Sequence, residues 1–274
     1  MISVRKIVTN GVELNVATAG AGPAIMLLHG FPHTWQVWEP IIPALATHRT
    51  VIAPDLRGLG ASHRPTSGYT AGDIAADVVG LLDTLRIERA DVVGIDLGTP
   101  AAFLVGAVHP ERVRKLVLME ALIGRLPGAE DFLAGGPPWW FGFHAVPGLA
   151  ESVLLNHEND YLDFFLSAGT LGDGVTDSFR RAVHAAYSGP TALRAAFEHY
   201  RALPRSAEQI AAAASTRLTV PTLAVGSNPV ADATFRQLQT ITDDLSGTVL
   251  DHTGHIIPQH RPEALLACLK TFVH

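Results

Sequence analysis

The sequence predicts an α/β protein, with a mostly parallel central sheet flanked by helices and interrupted by an inserted helical segment. Three observations predict it. Short apolar runs of the kind buried on both faces of a parallel sheet alternate with helical stretches along most of the 274 residues. Between about residues 123 and 217 that alternation stops and strand-like runs are absent. A turn of the form glycine–x–aspartate–x–glycine joins one apolar run to an apolar helix.

Taken in order, residues 3–8 and 12–17 alternate apolar and polar side chains around Asn10-Gly11, a hairpin signal. Buried strands are expected at 24–28, 50–53, 91–95, 113–119, 220–225 and 248–250. A helix is expected from Thr70, where Thr70 and Asp73 form a capping box. Ile74, Val78, Leu81, Leu82 and Leu85 then fall on one face. A second apolar helix is expected at 101–108. The interrupting segment contains Pro137-Pro138, the aromatic run Trp139-Trp140-Phe141, and Ala-rich helical stretches at 191–203 and 207–215. It is read as a helical cap (123–217) over a core made of 1–122 and 218–274, rather than as an independent domain.

Composition narrows the function. With 47% hydrophobic and 17% charged residues, the chain has enough apolar material for a large core. A net charge of −6 with no basic stripe argues against nucleic acid. No stretch approaches the roughly 18 apolar residues of a membrane span, and no signal peptide is evident. The single cysteine, Cys268, cannot form an intrachain disulfide, so a cytoplasmic protein is expected. His252, His255 and His260 lack a coherent metal-ligand pattern, and the pair His29 and His33 lies in a loop. No GxGxxG follows a strand. Neither metal nor cofactor is expected, and a homodimer is left open.

The chemistry centres on Gly94-Ile95-Asp96-Leu97-Gly98. Its glycines permit a sharp strand-to-helix turn that projects Asp96 at a helix N-terminus, where positive potential favours an anion. Alone, the turn fits an aspartate that merely caps a helix equally well. Its surroundings decide: His29-Gly30-Phe31-Pro32 and Asp55-Leu56-Arg57-Gly58-Leu59-Gly60-Ala61-Ser62 each follow an expected strand, and Gly254-His255 follows the last. In this order they resemble the α/β-hydrolase superfamily, and within it the branch of epoxide hydrolases and dehalogenases. The resemblance covers nearly the whole chain.

That resemblance implies a nucleophilic Asp96 and a base, His255, neutral near pH 7, that activates water against the resulting ester. It also implies an oxyanion hole from the backbone N–H groups of Phe31 and Leu97. The acid that orients the base is expected at Glu120, with Asp232 as the alternative. Epoxide opening needs a proton donor from the cap, and Tyr200 in Tyr200-Arg201 is the candidate. Trp140, with Trp139 beside it, would share the oxygen-binding hole; the alternative is that both pack within the cap. Trp35 and His29 are expected at the substrate, and Trp38 on the floor of the pocket. Haloalkane dehalogenases commonly carry Asn where this chain has Phe31 and Trp where it has Leu97. Fluoroacetate dehalogenases carry arginines just after the nucleophile, where 97–101 offer none. Hydrolysis of an apolar or aromatic epoxide is therefore the expected activity. Dehalogenation is the alternative, with a catalytically silent binding protein behind both.

Overall fold

A computed structural model describes residues 1–273. Eight strands form one sheet: β1 (Ser3–Thr9), β2 (Val12–Ala19), β3 (Ala24–Leu28), β4 (Thr50–Pro54), β5 (Ala90–Ile95), β6 (Val113–Met119), β7 (Thr222–Asn228) and β8 (Leu245–Gly254). Their spatial order is β1-β2-β4-β3-β5-β6-β7-β8. The β2 strand runs antiparallel to β1 and β4, and every other pairing is parallel. β3 and β5 are buried along their whole length, which is why their sequences are unbroken apolar runs. At the sheet edge β8 alternates, with exposed and half-buried residues over most of its ten. That weak pattern hid seven of its residues from the periodicity argument.

Helices α1 (Ile42–Leu45), α2 (Ala71–Thr84) and α3 (Gly98–Val108) cover the sheet. The capping box at the start of α2 forms as the sequence predicts: Thr70 Oγ1 accepts from Asp73 N–H, and the Asp73 carboxylate accepts from Thr70 N–H.

Between β6 and β7 the chain inserts six helices: α4 (Trp139–Ala145), α5 (Leu149–Leu154), α6 (Glu158–Ala168), α7 (Asp177–Ala186), α8 (Pro190–Arg201) and α9 (Leu203–Ala213). The last returns to the core. Ala71 N–H at the start of α2 donates to Ser206 Oγ, Gly72 N–H to Gln209 Oε1, and α9 packs on both α2 and α3. After β7 come α10 (Ala233–Leu238), then α11 (Ile257–His260) and α12 (Pro262–Phe272) beyond β8. Because β5, β6, β7 and β8 are parallel neighbours, Asp96, Glu120, Ser227 and His255 all emerge at the same end of the sheet, beneath the inserted helices. None of the described helices is long and apolar enough to cross a membrane.

Candidate active site

Two residues separate the end of β5 from the start of α3, so the chain must turn within Asp96 and Leu97. Asp96 takes φ 53°, a left-handed conformation that costs a non-glycine residue on the order of 1–3 kcal/mol. The glycines around it are steric requirements. A Cβ on Gly94 would lie 2.5 Å from the Gly98 carbonyl oxygen, and one on Gly98 would lie 2.4 Å from that of Leu28. A Cβ on Gly30 would fall 1.9 Å from Asp96 Oδ1, in the space the carboxylate occupies.

The carboxylate is held on both oxygens. Phe31 N–H donates to Oδ1 at 2.9 Å, and His255 Nε2–H donates to Oδ2 at 3.2 Å. The other ring nitrogen, Nδ1, donates to Glu120 Oε2 at 3.1 Å, while Ser227 N–H donates to Glu120 Oε1 at 2.5 Å. Glu120 directly follows β6 in a second left-handed conformation, φ 48°, and is almost wholly buried. Asp232, the alternative acid, precedes α10 and is engaged by Arg236 at 2.8 Å, away from His255.

The electrostatics revise one expectation. Both nitrogens of His255 face carboxylate oxygens, which only donors can do. Burial works to lower its pKa, yet the hydrogen bonds and charges of Asp96 and Glu120 push it up to about 10. His255 is thus an imidazolium rather than the neutral ring expected. Burial would likewise raise Asp96, but the His255 hydrogen bond and charge and the Phe31 N–H hold it below the usual carboxylate range.

The aromatic donors are arranged differently from the sequence reading. Tyr200, on α8, is buried, with its ring edge-on to Phe31 (6.1 Å) and Phe141 (5.6 Å). The ring beside it is His144, whose centroid lies 4.3 Å away. Trp139 is 56% exposed and packs on Phe143, Phe164 and Phe165. Trp140 is half-buried against Phe141 and Phe165. The helical period explains the difference: on α4, Phe141 and His144 share the face turned to Tyr200, whereas Trp139 and Phe143 share another. A reading of 139–145 as helix would have singled out His144. Its Nε2 meets the Tyr161 hydroxyl at 2.5 Å, and its Nδ1 is buried without a protein partner. Burial, helped by the charge of Arg201, brings its pKa down to about 3, so the ring is neutral. Burial, and then the Asp96 charge, push the Tyr200 phenol well above its ordinary value.

His29, expected at the substrate, is wholly buried and committed to the scaffold: Nδ1 donates to the Gly30 carbonyl and Nε2 accepts from Leu56 N–H. Trp35 is buried with its backbone N–H donating to Asp55 Oδ1, and Trp38 is core. His33, which the sequence reading set aside as a metal ligand, lies beside His255 and, on its other side, Phe179 of α7. It is fully buried, its ring centroid is 6.2 Å from that of His255, and neither of its nitrogens has a protein partner. Burial brings it down to about 3. Among the described residues, no group of three His, Cys, Asp or Glu side chains could hold a metal ion.

Residues 23–257 match the family model described as alpha/beta hydrolase fold. A soluble epoxide hydrolase of Corynebacterium sp. (strain C12) is 30% identical over 96% of this chain and 94% of that protein. Epoxide hydrolase A of Mycobacterium tuberculosis is 28% identical over 98% of this chain and 96% of its own. The crystal structure of Cfl2 from Burkholderia cenocepacia superposes with a TM-score of 0.89 at 30% identity, covering 99% of this chain and 95% of that one.

Proposed function

Since the chain belongs to the alpha/beta hydrolase fold family and is a hydrolase, we propose that it converts an epoxide to a vicinal diol through an ester on Asp96. The observation that carries this reading is a carboxylate nucleophile bonded to an imidazolium, with two neutral protic rings, Tyr200 and His144, packed together in the cap near it. A hydroxyl nucleophile would leave an ether on carbon, whereas a carboxylate leaves an ester that water can cleave.

In the first step an Asp96 oxygen forms a bond to an epoxide carbon, and that carbon's bond to the ring oxygen breaks. The oxygen takes its proton from Tyr200, with His144 as the second ring of the oxygen-binding pair. Esterification removes the Asp96 charge, one of the two that hold the His255 pKa up, so the imidazolium gives up a proton, which restores the Tyr200 phenol, and becomes a base. Water then attacks the Asp96 carbonyl carbon and passes a proton to His255. The Phe31 and Leu97 N–H groups stabilise the oxyanion. His33, neutral and with both nitrogens unengaged by protein, supplies a polar partner for that water. Collapse releases the diol, and the water oxygen stays in the Asp96 carboxylate.

The substrate is read as apolar. Phe31, Phe141 and Phe197 surround the His144–Tyr200 pair, and the adjacent cation, Arg201, is bonded to Glu151 and Glu198. A halide clamp from the two indole N–H groups is disfavoured, because Trp139 turns outward. One turnover in H₂¹⁸O over a panel of aromatic and aliphatic epoxides tests the reading. The label should enter Asp96 and be absent from the first diol; label in that diol would mean direct attack by water and would sink the ester mechanism. Halide release from haloalkanes, without diol from any epoxide, would mean a dehalogenase.

Tyr200→Phe keeps the ring and removes the proton. It is expected to slow ester formation by about 10²-fold and leave ester hydrolysis unchanged. Rapid-quench mass spectrometry separates the two steps, and an unaltered alkylation rate would remove Tyr200 from the mechanism. His33→Leu should do the reverse, slowing only the hydrolytic step.

A further inference from the structure

The base is held from both sides by one stretch of the inserted helical segment. Beyond His255, Ile256 N–H donates to the Gly169 carbonyl at 2.8 Å. Before it, Gly254 N–H donates to His260 Nδ1 at 2.7 Å, and His260 Nε2–H donates to Asp173 at 2.9 Å. Gly169 and Asp173 belong to the loop between α6 and α7. The loop approaches so closely that a Cβ on Gly254 would lie 2.5 Å from the Gly169 oxygen. His260 is buried, and its two partners specify one tautomer, with Nδ1 accepting and Nε2 donating.

The same peptide is tied into the catalytic carboxylate. Ser227 Oγ donates to the Gly254 carbonyl at 3.1 Å, and Ser227 N–H donates to Glu120, which in turn accepts from His255. The hydrogen bonds close a circuit through Glu120, Ser227, Gly254 and His255. His260 is the branch that leaves this circuit for the cap.

We propose that His260 and Asp173 are positioning residues that latch the His255 loop to cap residues 169–173, so that the base is aligned with Asp96 only while that stretch is seated. This rests on the ester mechanism above for its kinetic consequence. His255 activates water in the second step alone, so loss of the latch should slow ester hydrolysis and spare ester formation. A residue that served only folding would affect both.

The test uses the full chain with Asp173→Ala, a change at a side chain that is 59% exposed and so spares the core, together with His260→Leu and the conservative Asp173→Asn. Single-turnover quench and intact mass read the two steps. In Asp173→Ala and His260→Leu the ester should form at the unaltered rate and hydrolyse between about 10- and 100-fold more slowly, the scale of a small misplacement of a reacting group. Asp173→Asn, which retains an acceptor for His260 Nε2–H, should restore most of the loss. Equal slowing of both steps, or no slowing of hydrolysis, overturns the latch. If no epoxide alkylates the unaltered enzyme, the epoxide reading fails and amide exchange decides the latch instead. The Gly254 and Ile256 amides should exchange faster in Asp173→Ala, and equal protection overturns it.

Discussion

Replacing Asp96 by alanine is expected to abolish turnover, with a loss on the order of 10⁴-fold or more. No second carboxylate can take its place: Glu120 is directed at His255 and Ser227. Any activity above the uncatalysed rate with an epoxide that the native enzyme hydrolyses would place the nucleophile elsewhere. The substitution should also move the base. With one of its two carboxylates gone, His255 should titrate well below its native value of about 10, as histidine NMR can measure. A raised histidine pKa stabilises the fold fully below the ordinary value of 6.5, and that contribution is lost as pH rises through about 10. Asp96→Ala should therefore flatten the fall in Tm of the native protein across that interval.

His255→Gln is expected to give a different failure. Glutamine keeps a polar side chain but cannot accept the water's proton, so hydrolysis should slow by about 10²–10⁴-fold while alkylation proceeds. The variant exposed to an epoxide should gain the whole epoxide mass on Asp96, in a stoichiometric burst of epoxide consumption that the diol follows only slowly. A gain equal to a halogenated compound less its hydrogen halide would point to dehalogenation. Rapid turnover without an adduct would show that His255 is not the base.

Legibility in the sequence followed the kind of constraint at each position. Gly94 and Gly98 are dictated by backbone approach, and Gly30 by the Asp96 side chain; a single residue type satisfies both demands, so the turn around Asp96 could be read without a structure. Glu120 stood out as an acid at the end of a buried strand, a place that demands a partner. His144 did not stand out, since its place beside Tyr200 depends on which way a seven-residue helix faces, and the conspicuous tryptophans near it drew the reading instead. His33 comes just after the His29-Gly30-Phe31-Pro32 motif, and nothing in its sequence position shows that it faces His255. The charge of His255 depends on two carboxylates converging from β5 and β6. Spacing along the chain cannot report that convergence.

The placement of the inserted helices has a consequence for how such an enzyme can change. They leave the sheet after β6 and return at β7, two strands paired from Leu116 with Thr222 to Met119 with Val225. Because these strands are parallel, the chain leaves at one end of the sheet and re-enters at the other, with α9 making the return along α2 and α3, so the helices before α9 can drift in length or be exchanged without re-registering the sheet. Exchange is not unrestricted, however. Gly169 and Asp173 touch the loop that carries the base. A chimera built to acquire a new substrate range should keep residues 169–173 with its recipient scaffold and graft only the helices around them.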